Sequence, residues 1–373
     1  MVRYLTAAPL VAIDTEFHRE RSYFAKLALV QIAAGDQVFL IDPLRVDISC
    51  LREVFESDAE IIFHAASQDL EILRRKTGVL PNKIFDTQIA AGFLGYSSAS
   101  LLSLLEVFLG VAMDKSDRLS DWLSRPLEDK QLHYAAQDVI YLVELRDVLL
   151  AEIAKLGRTS WLSQELDDYI AQDFSAKTDP NRAWLKIREV RSLKGKTKQV
   201  AMALAAWREM RAIEIDVPAR FVLADLAVAT IAQNTPKKTA DLRGIRGVDT
   251  RNMAGGVDQE IIAVVAKAVA AELTYDDDRQ APEQVELPTG AGALLVAWLT
   301  SRAKQLKIDS NLLGSRSDIT DLYSPMAESK LARGWRKEAV GNYIERIVSG
   351  EIALALTKSG EVTMVANGGV EVV

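Results

Sequence analysis

Short apolar runs separated by turn residues dominate the first hundred positions of the chain. Five of these runs predict strands, at 10–15, 26–34, 37–41, 60–64 and 84–85. Helices are predicted between the later strands. One is capped by Ser49 and runs toward Glu56, and the other covers Ser67–Thr77 and stops at Gly78. Strands followed by strand–helix alternation predict a mixed sheet with helices packed against it.

Beyond Ser100 the apolar pattern is almost wholly helical. Polar breaks at 175–181 and 274–290, both containing proline, divide the 373 residues into three parts. We expect one domain over 1–178 and two helical modules over 195–275 and 290–360. The modules share a pattern, because each begins with an amphipathic helix around a central tryptophan, Trp207 or Trp298, which we expect in the core. Residues 363–373 show no helical period and are expected to fray.

The composition is that of a folded globular protein. Hydrophobic residues make up 49% and charged residues 26%, which excludes disordered, collagen-like and disulfide-scaffold classes. A single cysteine, Cys50, cannot form an internal disulfide or a cysteine zinc site and fits a reducing compartment. The apolar runs fall short of the roughly 20 residues needed to cross a bilayer, and the start of the chain lacks a secretory signal. We therefore expect a soluble cytoplasmic protein without membrane association.

Charge is unevenly distributed along the chain. The formal net charge is −7, with −10 over residues 1–181 and +3 over 182–373. Residues 182–211 hold nine basic and two acidic side chains. An acidic first part and a basic stretch suit a metal site beside a surface that binds a polyanion. The counts alone fit solvated helix faces equally well.

Two carboxylates occupy alternate positions in the first predicted strand. Asp14 and Glu16 are two residues apart, so they share one face of the strand. Carboxylates so close repel one another unless a cation neutralises them. The pair therefore favours a metal site, although a strand that simply emerges into solvent at Asp14 explains it equally well.

Two later segments carry further candidate ligands. Asp69 falls in the first turn of a helix that follows the strand ending at His64. Tyr134 and Asp138 are four residues apart and share one face of a predicted helix. Considered alone, Asp69 is explained as a helix-capping residue. Considered alone, Tyr134 and Asp138 are explained as a pair on the surface of an amphipathic helix. Taken together, the four carboxylates predict a site for paired hard cations, which suits in-line displacement at a phosphodiester.

These segments resemble the three motifs of the DEDD exonuclease superfamily, in the subclass with a tyrosine in the third motif. The matching residues are DTE at 14–16, HAASQDLE at 64–71 and YAAQD at 134–138. The chain is similar to bacterial ribonuclease D in its connecting segments too, at 41–44, 85–95 and 114–127. The helical modules are similar to HRDC repeats, the first through residues 211–226. The resemblance implies an α/β, ribonuclease H-like exonuclease domain with a mixed sheet flanked by helices, followed by two all-α HRDC-like domains.

The resemblance also implies roles for single residues. Asp14, Glu16, Asp69 and Asp138 become ligands of two divalent cations, Mg²⁺ or Mn²⁺, and Tyr134 orients the attacking water. The implied reaction is hydrolysis from a free 3′ end of RNA, releasing nucleoside 5′-monophosphates, with tRNA precursors as the family's substrates. Contacts to the last nucleotide are predicted for Phe17, His18 and His64, although a core or capping role explains His64 equally well.

Two rival functions remain open at this point. The acidic motifs do not select ribose, so a 3′–5′ exonuclease acting on DNA fits them as well. A non-catalytic nucleic-acid-binding protein on the same fold is the other rival, and the intact acidic set argues against it. Basic residues at 182–211 and 236–251 are predicted to contact RNA phosphates. Nothing in the sequence demands more than a monomer.

Overall fold

A computed structural model describes residues 1–113, 120–175, 178–249, 255–273, 289–323 and 328–366. The part of the chain that holds the candidate residues is built on a five-stranded sheet with the strand order β3-β2-β1-β4-β5. The strands are β1 (Leu10–His18), β2 (Lys26–Ala34), β3 (Gln37–Ile41), β4 (Glu60–Phe63) and β5 (Ile84–Asp86). β4 runs parallel to both β1 and β5, whereas β2 and β3 are antiparallel. The expected mixed sheet flanked by helices is confirmed.

Helices account for most of the remaining described chain. Those before residue 175 are α1 (Val2–Ala7), α2 (Leu51–Phe55), α3 (Ser67–Thr77), α4 (Thr87–Gly92), α5 (Leu101–Leu109), α6 (Asp129–Ile140), α7 (Leu142–Lys155) and α8 (Thr159–Ile170). The later ones are α9 (Arg188–Arg191), α10 (Gly195–Glu214), α11 (Ala219–Val222), α12 (Asp225–Asn234), α13 (Val257–Ala270), α14 (Thr289–Leu306), α15 (Ser310–Leu313), α16 (Arg316–Leu322), α17 (Gly334–Arg336) and α18 (Asn342–Val348). Among the described residues, no helix combines the length and apolar character needed to span a bilayer.

The central strand and its parallel neighbour place the candidate residues at one edge of the sheet. Leu10 pairs with Glu60 and Ala12 with Ile62, so β4 ends level with Ile13 while β1 continues past it to His18. β1 is buried from Val11 to Ile13, which fixes its register against the core. The acidic end of β1 therefore lies beside the turn that leads from β4 into α3. Gly78, with φ +81°, ends α3 as predicted.

The chain divides into two compact units. One comprises Met1–Glu16, Ala28–Phe174 and Pro282–Val373. In it the last helices share a core with the sheet, since Trp335 belongs to the same buried cluster as Ile62 and Phe85, and its ring stacks on Trp161 of α8 at 5.5 Å between centroids. Arg336 forms a buried ion pair with Glu165 at 2.6 Å in the same core. The C-terminal helices are thus an integral part of the sheet-containing unit.

The second unit comprises Phe17–Leu27 and Ser175–Ala281. Its core is formed by α10, α12 and α13, and Trp207 packs there while its Nε1 donates to Glu260 at 2.9 Å. The connection after β1 belongs to this unit as well, because the Tyr23 hydroxyl donates to Glu209 at 2.5 Å. Trp207 and Trp298 are both buried, as predicted. The limits predicted for three domains, 1–178, 195–275 and 290–360, stay predictions.

Two local predictions were wrong. The helix after Ser49 begins at Leu51 with Cys50 at its N-cap, and the Ser49 hydroxyl donates to Asp47 instead. Residues 363–366 do not fray, because they form β7 (Val362–Ala366), which pairs with β6 (Ile352–Leu356) in an antiparallel hairpin. Most of the predicted linker at 274–290, the residues after 366 and part of the family-like segment at 114–127 lie outside the described residues.

Candidate active site

Three carboxylates meet where β1 ends. Asp14 and Glu16 project from alternate positions of β1, and Asp138 comes from α6. One oxygen from each of them lies within 4.8 Å of the other two. The three line a cavity of about 560 Å³, together with Thr15, His64, Ala65, Gln88, Ser98, Ser100, Leu101, Leu102 and Tyr134. An all-oxygen donor set of this kind suits hard divalent cations.

Electrostatic repulsion within the cluster is strong. The pKa of Asp14 is raised well above its usual value, first by burial and then by the charges of Asp69, Asp138 and Glu16. Each carboxylate makes ionisation of the others less favourable as long as no cation is bound. A divalent cation reverses this effect, because it favours the ionised form of every ligand. The chemistry of the donor set therefore fits the metal that the resemblance implied.

Asp69 lies in the first turn of α3, is 7% exposed and is not among the described lining residues of the cavity. It accepts a hydrogen bond of 2.5 Å from the Thr15 hydroxyl of β1. Burial is the largest cause that raises the pKa of Asp69 to about 7. Asp69 is near enough to repel Asp14, but its oxygens do not join the set within 4.8 Å.

Tyr134 and Asp138 face the same cavity from α6, one helical turn apart, as predicted. The small residue Ala135 is fully buried, which lets α6 pack closely beside β2. The Tyr134 ring packs on Trp122 with centroids 6.1 Å apart. Arg125 anchors the Trp122 segment, since its guanidinium donates to Trp122 O at 2.7 Å and forms two hydrogen bonds with Asp42. These contacts hold the Tyr134 ring in place.

His64 is the only one of the three predicted nucleotide contacts among the described lining residues of the cavity. The Thr87 hydroxyl donates to Phe63 O at 3.1 Å, so it accepts from His64 Nδ1–H at 2.9 Å. The ring orientation of His64 is thereby fixed. Phe17 and His18 end β1 outside the described lining, and His18 Nε2 lies 3.9 Å from Glu20.

Sequence reasoning missed part of the cavity lining and the residues that support the site. The lining residues that it missed are Gln88, Ser98, Ser100, Leu101 and Leu102. One local signal was available, because Ser100 precedes the apolar run of α5 and caps it by accepting from Ser103 N. The supporting role of Thr15 was not visible, since the partner of a hydroxyl depends on the tertiary fold.

Comparison with known proteins agrees with this geometry. Residues 1–154 match the model of a 3′–5′ exonuclease family, and residues 197–256 match the HRDC domain. The ribonuclease D of Jannaschia sp. (strain CCS1) is 37% identical over 356 residues, covering 93% of this chain and 92% of that protein.

Two solved structures are also similar. Escherichia coli RNase D, described as an exoribonuclease involved in structured RNA processing, superimposes with a TM-score of 0.80 at 29% identity, covering 94% of this chain and 95% of that one. The catalytic core of RRP6 from Trypanosoma brucei gives a TM-score of 0.58 at 25% identity, covering 73% and 77%. The ribonuclease H-like exonuclease fold followed by an HRDC domain is thus confirmed. On this evidence the chain belongs to the ribonuclease D family of hydrolytic 3′–5′ exoribonucleases.

Proposed function

We propose that this exoribonuclease releases nucleoside 5′-monophosphates one at a time from RNA 3′ ends, with two divalent cations, Mg²⁺ or Mn²⁺, held by its acidic residues. The observation that carries the proposal is the convergence of Asp14, Glu16 and Asp138 within 4.8 Å at the cavity. Asp69 is assigned as the fourth ligand because its charge acts directly on Asp14. When bound, the cations lower the pKa of the attacking water and neutralise charge that develops on the phosphate.

We assign Tyr134 the task of orienting the attacking water. A tyrosine hydroxyl ordinarily has a pKa near 10, so it is a poor lone base at neutral pH. It serves better as a fixed hydrogen-bonding group, and packing against Trp122 gives it that rigidity. Tyr134 faces the same cavity as Asp138, one helical turn away.

The remaining lining of the cavity is the proposed place of the terminal nucleotide. It combines polar groups on Gln88, Ser98 and Ser100 with the apolar side chains of Leu101 and Leu102. Such a mixture suits a base that stacks on apolar surface and a sugar that forms hydrogen bonds. We place His64 at this nucleotide, and the predicted contacts of Phe17 and His18 stay part of the proposal.

Substrate selection rests on the helical parts of the chain. The matched HRDC domain at 197–256 and its basic neighbours support binding of RNA phosphates away from the site. We propose residues 290–360 as a second, divergent HRDC-like domain, on the pattern it shares with the first. Precursors of tRNA and other structured RNAs with free 3′ ends are the proposed substrates, because E. coli RNase D is described as acting in structured RNA processing.

The protein is proposed to act as a cytoplasmic monomer. The proposal of a monomer rests on the sequence, in which nothing demands a second copy. The single cysteine fits the reducing cytoplasm.

One experiment tests the reaction and its substrate together. Matched single-stranded RNA and DNA oligonucleotides with a 5′ label are incubated with the protein in EDTA and then with added Mg²⁺ or Mn²⁺. The expected result is a ladder of RNA products shortened from the 3′ end, visible only with added metal. Preferential shortening of the DNA, or cleavage that persists in EDTA, would overturn the proposal.

A further inference from the structure

The turn between β4 and α3 has a conformation that requires support. Ala65 adopts φ +61°, a left-handed conformation that residues other than glycine rarely take. The turn lies between His64 and the first residues of α3, so it sets where both His64 and Asp69 stand. The support must come from outside the turn, since alanine has no side chain that can supply it.

Asp86, at the end of β5, provides that support. It is 1% exposed, and its Oδ1 accepts from Ala65 N at 3.0 Å while Oδ2 accepts from Ala66 N at 2.8 Å. Oδ1 also accepts from Gln88 N at 2.8 Å and Ile89 N at 3.3 Å, at the start of α4. One carboxylate therefore ties the beginning of α3 to the beginning of α4, with both oxygens in use.

Thr87 makes a second hydrogen-bonded connection at the turn between β4 and α3. It is fully buried, and its hydroxyl joins Phe63 O to the His64 ring. Asp86 and Thr87 are adjacent, so the two residues together fix the turn, the ring of His64 and Gln88 in the cavity lining. All of these contacts link β4, α3, β5 and α4 within one compact unit.

We propose that Asp86 and Thr87 are positioning residues of the active site, Asp86 for the metal ligand Asp69 and Thr87 for the nucleotide contact His64. The inference rests on the proposed function of Asp69 and His64. Neither positioning residue is among the described residues that line the cavity, so each acts through another side chain. Groups that orient ligands in this way have large effects, and their loss typically lowers metal affinity or activity about 10–100-fold.

The position of Asp86 demands a carboxylate of this length. In Asp86→Asn one carboxylate oxygen is replaced by an NH₂ group, which is a donor. This group faces either Ala66 N–H, at the position of Oδ2, or the three N–H groups at the position of Oδ1, so a donor meets a donor in both orientations. Asp86→Glu keeps the charge but adds a methylene group, so the four short hydrogen bonds are not all retained. If the position of the carboxylate oxygens matters, both variants lose Mn²⁺ affinity. If the negative charge alone matters, the glutamate variant retains Mn²⁺ affinity.

The test of Asp86 is direct Mn²⁺ binding by calorimetry on the full chain, with melting of each variant as a folding check. We expect Asp86→Asn and Asp86→Glu to bind Mn²⁺ about 10–100-fold more weakly than wild type. Asp309→Asn is the matched control, because Asp309 is also a buried N-cap aspartate, 8% exposed, and lies in another helix. Its Mn²⁺ affinity should equal that of wild type. Wild-type affinity in both Asp86 variants, or in the glutamate variant alone, would overturn the assignment.

The test of Thr87 uses a conservative pair. Thr87→Val keeps the shape and removes the hydroxyl, whereas Thr87→Ser keeps the hydroxyl. We expect the valine variant to raise KM for RNA about tenfold while its Mn²⁺ affinity stays unchanged, and the serine variant to restore the wild-type KM. Equal KM values in valine and serine variants would refute the role of Thr87.

Failure of this inference can be told apart from failure of the proposed function. If wild type cleaves RNA and Asp69→Ala does not, while both Asp86 variants bind Mn²⁺ normally, the function stands and the positioning role falls. If Asp69→Ala cleaves RNA at the wild-type rate, the metal assignment on which the inference rests falls first.

Discussion

Asp14 shows at the scale of one residue how the site depends on a cation. Its carboxylate is surrounded by three others, and burial and repulsion raise its pKa well above the usual value. We expect Asp14→Ala and Asp69→Ala to abolish hydrolysis, because each removes a metal ligand, while RNA binding survives on the basic surface. Gel-resolved cleavage and fluorescence anisotropy measure the two effects. Asp129→Ala, an exposed acidic residue on α6, is the control and should cleave normally.

Tyr134 should behave differently from the carboxylates. Tyr134→Phe keeps the ring on Trp122 and removes only the hydroxyl that orients water. We expect kcat to fall by about a hundredfold, with activity still measurable, since metal binding is retained. Tyr141→Phe, just beyond the end of α6, is the matched control. Loss of metal binding in Tyr134→Phe would show that the hydroxyl has another role.

The buried carboxylates make stability depend on both pH and metal. The pKa of Asp69 is about 7 in the folded chain without metal and 3.8 as a free group, so the folded state binds the proton more tightly. The free energy of unfolding of the metal-free protein should therefore fall as pH rises from about 4 to 7. Added Mn²⁺ should raise the melting temperature more at pH 8 than at pH 5, because protons compete for the ligands. An equal shift at both pH values contradicts this account.

At the scale of elements, strands were predicted more reliably than the contacts between them. Local sequence signals were available for three features. They are the acidic residues of β1, the buried run that defines the register of β1, and the end of α3 at Gly78. The hydrogen bonds of Asp86 and Thr15 leave no such signal, because their partners are distant in sequence. The β6–β7 hairpin was missed because its two five-residue strands follow a long helical stretch and resemble a frayed tail.

The C-terminal helices supply a prediction at this scale. Glu165 on α8 accepts from Trp335 Nε1 at 2.9 Å and pairs with Arg336, whose side chain is 7% exposed. Glu165→Ala leaves a buried guanidinium without this partner and should destabilise the protein by about 3–5 kcal/mol. Urea unfolding measures the change. Glu351→Ala, which breaks an exposed pair with Arg346, should have little effect, and equal losses in the two variants would refute the argument.

At the scale of the whole molecule, the fold assembles the site from residues that are distant in sequence. Residues 14, 69 and 138 are far apart in sequence, and the parallel pairing of β1 with β4 and the packing of α6 bring them together. The sequence predicted which residues to expect at the site, because each motif has its own local pattern, and the structure brings Asp14, Glu16 and Asp138 together. The sequence did not predict that Asp69 stays outside the set within 4.8 Å and bonds to Thr15, because both depend on the tertiary fold.

The most direct test of the central claim is to count bound Mn²⁺ by electron paramagnetic resonance, for the folded chain, the chain unfolded in urea and folded Asp14→Ala. The account predicts two Mn²⁺ per folded wild-type chain, none on the unfolded chain, and weakened or lost binding in the variant. Unchanged Mn²⁺ binding in Asp14→Ala, or equal binding by folded and unfolded wild type, would contradict it.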